Sequence, residues 1–232
     1  MYLCRKIDDM MKKILLMVVA AMMATTSALA QFPDNVKEVL KKCDEKMASY
    51  KSDAGMVLDM NMKAKVSILS VNGTVKSYVK NKKFFNVMSM KLLNKSLNIE
   101  IGCDGVQKWK YKGSVDEKKK DSLIITKATE ATKNDYGTSR DYEQEYSKAK
   151  MKEVGRYYEI TFSGPKKKDI SKKTTIKIDK ENYLLREFSI DEDVDNFAGK
   201  IIMTITKITK GCSDNWFKLD MNRYKNAVVV KR

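Results

Sequence analysis

The chain has 232 residues, 46 of them Lys or Arg and 30 Asp or Glu, which gives a formal net charge of +16, and it contains no His. The absence of His excludes Ser-His-Asp and Cys-His nucleophilic sites and most zinc sites. The positive charge, carried mostly by Lys, favours attraction to anionic surfaces, whereas Arg, the usual base-reading side chain, is too scarce to indicate a nucleic-acid partner.

The N-terminal segment predicts a cleavable signal peptide. Lys12 and Lys13 precede an unbroken apolar run over residues 14–24, and residues 28–30 supply small side chains at the cleavage positions. The apolar run is shorter than the about 20 residues that a membrane-spanning helix needs, so an N-terminal anchor is the less favoured alternative. The sequence therefore predicts export from the cytoplasm.

The predicted signal peptide covers residues 1–30, with Met10 or Met11 as alternative start sites, and leaves residues 31–232 as a single domain. This length suits one domain, and no later apolar stretch approaches membrane-spanning length. No Cys follows the cleavage site, so a lipid-anchored form is not indicated.

Residues 34–51 predict one amphipathic helix. Pro33 and Asp34 mark its start, and Asp34 is a suitable N-terminal cap. One face carries apolar side chains at helical spacing, namely Val36, Val39, Leu40, Cys43, Met47 and Tyr50.

After residue 52 the hydrophobic period changes from helical to two, which predicts strands. The clearest case is a long strand whose even positions are apolar: Ala54, Met56, Leu58, Met60, Met62, Ala64, Val66 and Ile68. Further strands are predicted at 71–80, 84–92, 97–103, 106–111, 142–151, 157–162, 174–179, 183–190, 200–208, 216–221 and 227–230. An Asp104-Gly105 turn joins two of them. Residues 112–144 are irregular and are predicted to cross over the sheet, with a short helix at 127–136.

A sheet of this size needs cover for its apolar face, and the helix and the crossover offer too little if the sheet is flat. The sequence therefore predicts a mainly β (α+β) fold: a strongly curved antiparallel sheet, an incomplete β-barrel of about eleven strands with a concave apolar interior. The candidate cavity lining is Met56, Leu58, Met60, Met62, Phe84, Met88, Met90, Ile99, Ile101, Trp109 and Tyr111. These methionines and aromatics suit either an adaptable apolar ligand site or an ordinary core.

Three of the four cysteines lie beyond the signal peptide, so at least one of them is unpaired within the chain. Cys43 lies on the apolar helix face and is interpreted as a small core residue. Cys103 and Cys212 are the candidate disulfide pair.

No metal site is predicted. The acidic run at residues 191–196 resembles the start of a calcium loop, but Asn196 stands where Gly is required and Ile202 where a bidentate Glu is required. We find no catalytic constellation and no cofactor motif.

Several segments, in their order and spacing, resemble the LolA-type periplasmic carrier that moves lipoproteins to the outer membrane, and its wider LolA/LolB-like superfamily. They are Gly73-Thr74-Val75, Val79-Lys80-Asn81-Lys82-Lys83-Phe84-Phe85-Asn86, Cys103-Asp104-Gly105-Val106-Gln107-Lys108-Trp109-Lys110-Tyr111, Ile176-Lys177-Ile178-Asp179, Tyr183-Leu184, Phe217-Lys218-Leu219-Asp220 and Val228-Val229-Val230. The resemblance covers essentially all of residues 31–232.

This resemblance implies a periplasmic monomer with a hydrophobic cavity for acyl chains. The implied partners are acylated lipoproteins or lipids, together with inner- and outer-membrane transfer proteins, and no cofactor is implied. One position departs from the family, because Asn81 stands where the family has an Arg that helps to hold the lid closed and governs release.

A carrier must release what it binds, so we expect a lid that competes with the ligand. The helix at 34–51 and the crossover at 112–144 are the predicted lid, with Val36, Val39, Leu40, Met47, Leu123 and Ile124 as its apolar contacts. The alternative is a non-catalytic structural or adaptor protein of the cell envelope whose interior is filled. An enzyme on the same scaffold is the third reading, and the missing motifs make it the least favoured.

Overall fold

The computed structural model of the protein describes residues 32–50, 54–66, 69–92, 95–113, 120–129, 142–166, 171–194 and 197–231. The predicted signal peptide lies outside the described residues, and so does most of the helix predicted at 127–136. Among the described residues, no helix is long and apolar enough to cross a bilayer.

The secondary structure is dominated by strands. In chain order the elements are helix α1 (Asp34–Tyr50), strands β1 (Met56–Val66), β2 (Leu69–Lys80), β3 (Lys83–Leu92), β4 (Lys95–Cys103), β5 (Gln107–Lys112) and β6 (Ser122–Lys127), helix α2 (Tyr142–Glu145), strands β7 (Tyr146–Val154), β8 (Tyr157–Pro165), β9 (Lys173–Asp179), β10 (Leu185–Val194) and β11 (Phe197–Lys210), two 3₁₀ helices (Asp214–Phe217 and Met221–Tyr224), and strand β12 (Val228–Lys231).

The twelve strands form one sheet in the order β12-β6-β5-β4-β3-β2-β1-β11-β10-β9-β8-β7, and the sheet does not close into a barrel. This confirms the mainly β, open-sheet fold class. Neighbouring strands pair antiparallel from β2 through β6 and from β7 through β11. Strand β12 differs from the antiparallel prediction because it pairs parallel to β6.

Two predictions from the sequence are wrong, one near the C-terminus and one at the predicted crossover. The strand predicted at 216–221 is absent, because the chain there forms the two 3₁₀ helices, each capped by a side chain at its start. Residues Leu123 and Ile124, assigned to a covering crossover, lie instead within β6, where they pair with both β5 and β12.

The chain divides into two compact units, each described here by itself. One unit comprises Met1–Met47, Ala64–Ser70 and Thr138–Thr204, and the other comprises Ala48–Lys63, Val71–Gly137 and Ile205–Arg232.

In the first unit, helix α1 and the aromatic residues near it build an apolar core. The helix begins at Asp34 and buries Val36, Val39 and Cys43 on one face, as its amphipathic pattern predicts. The ring of Tyr142 stacks on Phe162, with centroids 4.1 Å apart. Burial of these side chains stabilises the unit chiefly through the hydrophobic effect.

In the second unit, the alternation along β1 sets which side chains are buried. Its even positions from Met56 to Met62 are at most 4% exposed, whereas Asn61 and Lys63 are exposed. The turn between β2 and β3 places Asn81 at a φ of 53°, a left-handed conformation that Asn tolerates better than most residues. The two strands therefore stay in register across a tight connection.

Candidate functional site

The candidate site is one face of strands β1 to β4, which we call the methionine face. Cross-strand register defines its rows, for example Val75 opposite Met88 and Met88 opposite Ile99. Because alternate residues of a strand share a face, the register fixes the remaining members on β2 to β4. The methionine face comprises Met56, Leu58, Met60 and Met62 of β1, Gly73, Val75, Ser77 and Val79 of β2, Phe84, Asn86, Met88 and Met90 of β3, and Leu97, Ile99, Ile101 and Cys103 of β4.

Gly73 shows how closely two of these methionines approach the sheet. A Cβ atom at Gly73 would lie 3.1 Å from Met62 Cε and 3.0 Å from Met90 Cγ, and 2.5 Å from the backbone oxygen of Ser89. The two thioether side chains therefore fill the space that any other residue at position 73 would occupy. This contact also places the even positions of β1 on the same face as Met90.

Nine of the eleven predicted lining residues lie together on this face, and all nine are buried. Their exposed fractions range from 0% for Leu58 and Phe84 to 5% for Ile101, with Met56, Met60, Met62, Met88, Met90 and Ile99 between these values. Methionine has an unbranched, polarizable side chain that can fill irregular space and repack at low cost. A face rich in methionine is therefore chemically suited to contacting apolar groups of variable shape.

Two polar side chains interrupt the methionine face. Ser77 and Asn86 are direct cross-strand neighbours and are 0% and 2% exposed. Neither the Ser77 hydroxyl nor either polar atom of the Asn86 amide has a hydrogen-bond partner in the part of the chain that the structure describes. The sequence analysis missed this pair, although both residues occupy positions whose parity puts them on the apolar face.

Trp109 and Tyr111, which were predicted to line the same cavity, lie on the opposite face of the sheet. Trp109 pairs with Gly102, and Tyr111 pairs with Glu100. Residues 100 and 102 alternate with Ile99 and Ile101, so they point away from the methionine face. The inclusion of Trp109 and Tyr111 in that lining is therefore wrong.

The opposite face carries an aromatic cluster of its own, covered by the chain after β11. The cluster consists of Val57, Tyr78, Phe85, Trp109, Leu123, Ile125, Phe217 and Tyr224, with Val87, Tyr111, Cys212, Leu219 and Ala227 packed against it. The partly exposed ring of Trp216 stacks on Tyr78 at a centroid distance of 4.3 Å.

A buried carboxylate fastens this covering segment to the sheet. Glu100 is 8% exposed and accepts hydrogen bonds from Arg223 Nη2 at 2.8 Å and from the Tyr224 hydroxyl at 2.7 Å. Burial is the larger cause, and the hydrogen bond to Glu100 the smaller one, of a pKa of Tyr224 that lies above its usual value. Burial and a hydrogen bond to Asp121 likewise raise the pKa of Tyr111 to about 12. Both phenols therefore stay protonated near neutral pH, which suits a structural fastening.

Known proteins resemble this chain only distantly. No protein-family model and no curated protein matches the chain. The chain is similar to solved structures of the LolA superfamily. A LolA superfamily protein from Nitrosomonas europaea is 9% identical with a TM-score of 0.38, over 84% of this chain and 100% of that one.

Two further solved structures are similar at the same level. A putative outer membrane lipoprotein-sorting protein domain from Vibrio parahaemolyticus is 11% identical with a TM-score of 0.38, over 82% of this chain and 100% of that one. An uncharacterized conserved protein from Thermus thermophilus is 8% identical with a TM-score of 0.49, over 85% and 99%. Likenesses this distant do not carry an activity or a ligand to this chain, so function is argued from its own residues.

The predicted lid residues separate in the structure. Val36 and Val39 are buried and Leu40 and Met47 are half-buried, all on helix α1 in the first unit. Leu123 belongs to the aromatic cluster, opposite the methionine face, so its assignment to a lid is wrong. The lid role of helix α1 stays a prediction.

The candidate disulfide between Cys103 and Cys212 is also absent, since neither of these described cysteines forms a disulfide. Cys103 lies on the methionine face, whereas Cys212 packs against the aromatic cluster on the other side of the sheet. Two thiols on opposite faces cannot approach within bonding distance without backbone movement. Cys43 is buried on helix α1, and burial raises the pKa of its thiol, in keeping with a core residue.

Within the described part of the chain, no group of three or more His, Cys, Asp or Glu side chains is arranged to hold a metal ion. The methionine face offers dispersion contacts and two neutral hydrogen-bonding side chains. These groups are chemically suited to contact with an apolar group.

Proposed function

We propose that the protein is a periplasmic carrier that binds the acyl chains of lipoproteins or lipids on its methionine face and delivers them toward the outer membrane. The proposal includes export with removal of residues 1–30 and assigns no catalytic step. The observation that carries it is the concentration of five methionines on one face of β1 to β4, interrupted only by two uncharged polar residues and a glycine. A face built only for packing gains little from so many flexible side chains, because they specify one arrangement poorly.

A carrier must also release its ligand, so the binding of an acyl chain has to compete with contacts that the protein makes with itself. Each buried methylene contributes about 0.8 kcal/mol, so a chain of about 15 methylenes would contribute about 12 kcal/mol before costs. The nine predicted lining residues on this face are already shielded from solvent by the protein's own atoms. An acyl chain must therefore displace protein contacts, and the net affinity is smaller than the full burial free energy. With this balance, the protein can both take up an acyl chain and release it.

Methionine methyl NMR offers a direct test. The protein is labelled with 13C at the methionine methyl groups, and each signal is assigned by a Met→Leu substitution. A short peptide carrying an N-terminal palmitoyl group is added, and the same peptide without the acyl group is the control. We expect the signals of Met56, Met60, Met62, Met88 and Met90 to shift with the acylated peptide only.

Two other methionines serve as internal controls. Met203 is fully buried in the first unit, and Met221 is 44% exposed. Neither signal should move. If the acylated peptide leaves all five signals unchanged and native mass spectrometry finds no peptide on the protein, the carrier function is wrong.

A specific observation favours one second candidate, the structural or adaptor protein with a filled interior. None of the nine predicted lining residues on the methionine face is more than 5% exposed, as in an ordinary core. This candidate expects no uptake of the acylated peptide and no shift of the five methionine signals. The same experiment therefore separates the two functions.

A further inference from the structure

The methionine face contains a polar pair that its apolar surroundings do not explain. Ser77 and Asn86 face each other across β2 and β3, and the next residue in the same row is Ile101 of β4. The adjacent row is wholly apolar, with Val75, Met88 and Ile99. A hydroxyl and an amide placed here are deprived of solvent, which is costly unless something returns their hydrogen bonds.

A second Ser–Asn pair in the same sheet shows what satisfied partners look like. Ser89 and Asn98 are cross-strand neighbours of β3 and β4 on the other face, and both are exposed. The Ser89 hydroxyl donates to Asn98 Oδ1 at 2.6 Å. In the buried pair, by contrast, the Ser77 oxygen and both Asn86 polar atoms are without a partner among the described residues. The contrast singles out Ser77 and Asn86 as groups arranged for a partner from outside the chain.

The hydrogen-bonding capacity of the pair defines the chemistry of that partner. A serine hydroxyl supplies one donor, and an asparagine amide supplies two donors and an acceptor. Cross-strand neighbours have Cβ atoms about 5 Å apart, so donors from both side chains can reach one oxygen atom between them. Neither side chain is charged, which suits a neutral acceptor rather than a carboxylate or a phosphate. A carbonyl oxygen within an otherwise apolar ligand has these properties.

We propose that Ser77 and Asn86 bind the carbonyl oxygen of an acyl linkage, so that the methionine face selects ester- or amide-linked acyl chains over plain alkyl chains. This inference rests on the proposed acyl-binding function and adds the chemical class of its ligand. The methionines contact the hydrocarbon, and the polar pair fixes where along the chain the linkage lies. A ligand that lacks the carbonyl leaves the two side chains buried without partners, and a site built for a hydrogen bond discriminates strongly against such an analogue.

The test compares two lysophospholipids that differ in one carbonyl group. One is 1-palmitoyl-sn-glycero-3-phosphocholine, with an ester-linked chain, and the other is 1-O-hexadecyl-sn-glycero-3-phosphocholine, with an ether-linked chain of the same length. Each is titrated below its critical micelle concentration into the protein expressed from the full-length gene, and the dissociation constant is measured by isothermal titration calorimetry. We expect the ester to bind about tenfold more tightly, as hydrogen bonds to a neutral acceptor would give.

Matched variants test whether Ser77 and Asn86 cause the preference for the ester-linked lipid. Combining Ser77→Ala with Asn86→Leu should abolish the preference for the ester while leaving the affinity for the ether unchanged or improved. The same two substitutions at the exposed pair, Ser89→Ala and Asn98→Leu, should leave the tenfold preference intact. The unliganded Ser77→Ala/Asn86→Leu protein should unfold at the same or a higher temperature, because two unpartnered polar groups are removed.

The outcomes separate this inference from the function on which it rests. If the unsubstituted protein binds ester and ether equally, the inference is overturned and the acyl-binding function stands. If it binds neither lipid, both are overturned. If the Ser77→Ala/Asn86→Leu protein retains the preference, the carbonyl is recognised elsewhere and the inference is wrong. The comparison of the two lipids on the unsubstituted protein decides the matter even if the variant does not fold.

Discussion

At the scale of single residues, a buried acid on helix α1 links the stability of the first unit to pH. Asp44 is 7% exposed, and neither of its carboxylate oxygens has a hydrogen-bond partner among the described residues. Burial, together with the nearby Glu45 carboxylate, raises the pKa of Asp44 to about 8. The folded protein therefore holds a proton on this group at a pH where the unfolded chain has released it.

The sign of the pH effect follows from this difference. The contribution of Asp44 to stability is fully present below about pH 3.9, the pKa of an Asp side chain in the unfolded protein. It is lost as the pH rises toward 8, the pKa of Asp44 in the folded protein. Asp44→Asn removes this dependence while keeping the shape of the neutral acid. Relative to the unsubstituted protein, we expect the free energy of unfolding of the variant to be higher by about 2.5 kcal/mol more at pH 7 than at pH 5.

Urea unfolding at the two pH values measures this gain. Glu45→Gln is the matched control, since the neighbouring Glu45 is exposed and its neutralisation should change the pH dependence far less. A gain that is the same at both pH values would show that Asp44 is ionised in the folded protein.

At the scale of elements, the contact between β4 and β5 depends on a residue without a side chain. A Cβ atom at Gly102 would lie 2.1 Å from Cζ2 of Trp109, its cross-strand neighbour. Gly102→Ala therefore forces the indole out of the aromatic cluster, which we expect to lower the free energy of unfolding by about 2 kcal/mol. The displaced Trp109 should also change the near-ultraviolet circular dichroism of the folded protein.

Gly113→Ala is the control for this substitution. Its added Cβ would lie 3.3 Å from the backbone oxygen of Asn98 and 3.7 Å from the Tyr111 hydroxyl, which is ordinary van der Waals contact for the latter. We expect less than about 1 kcal/mol of destabilisation and an unchanged near-ultraviolet spectrum. Equal effects of the two substitutions would mean that the indole does not pack over Gly102.

Much of the sheet can be predicted from the sequence because a half-buried strand leaves an alternating pattern. The even apolar positions from Met56 to Ala64 gave β1 and its buried face, and helical spacing gave α1. The segment around Trp216 also alternates, but its backbone donors are satisfied locally. The Ser213 hydroxyl accepts from Asn215 N at 3.3 Å, and Asp220 accepts from Asn222 N at 3.0 Å. These local hydrogen bonds favour 3₁₀ turns over a strand.

The candidate site is only partly readable in the sequence, because hydrophobicity does not distinguish the two faces of a sheet that are both covered. On composition alone, Trp109 suits the methionine face. Residue parity across the turn contains the answer, because a hairpin loop with an even number of residues pairs odd-numbered residues with even-numbered ones. Four residues separate the paired Cys103 and Lys108, so Trp109 pairs with Gly102 and points away from the methionine face. The covering segment after β11 could not be foreseen, because its contacts with Glu100 join residues more than 120 positions apart.

At the scale of the whole molecule, the net charge of +16 predicts how the protein meets a membrane. Residues 1–30 contain only four basic and two acidic side chains, so residues 31–232 are strongly basic by themselves. Each basic side chain near an anionic leaflet contributes about 1 kcal/mol, and the attraction decays over a Debye length of about 10 Å at 0.1 M salt. A protein held at a bilayer by charge alone can leave it again without withdrawing an inserted apolar surface.

We therefore expect salt-sensitive binding to anionic bilayers. In a flotation assay, the unliganded protein should associate with vesicles of phosphatidylglycerol and phosphatidylcholine at 50 mM NaCl and lose at least tenfold in apparent affinity at 500 mM NaCl, where screening shortens the Debye length to about 4 Å. Vesicles of pure phosphatidylcholine are the control and should bind little protein at either salt concentration. Binding that is insensitive to salt, or equal on the two kinds of vesicle, would mean that apolar insertion rather than charge holds the protein at the membrane. In that case the exposed Trp216 and Met221 are the first side chains to substitute, because they are large apolar groups that the fold leaves open to solvent.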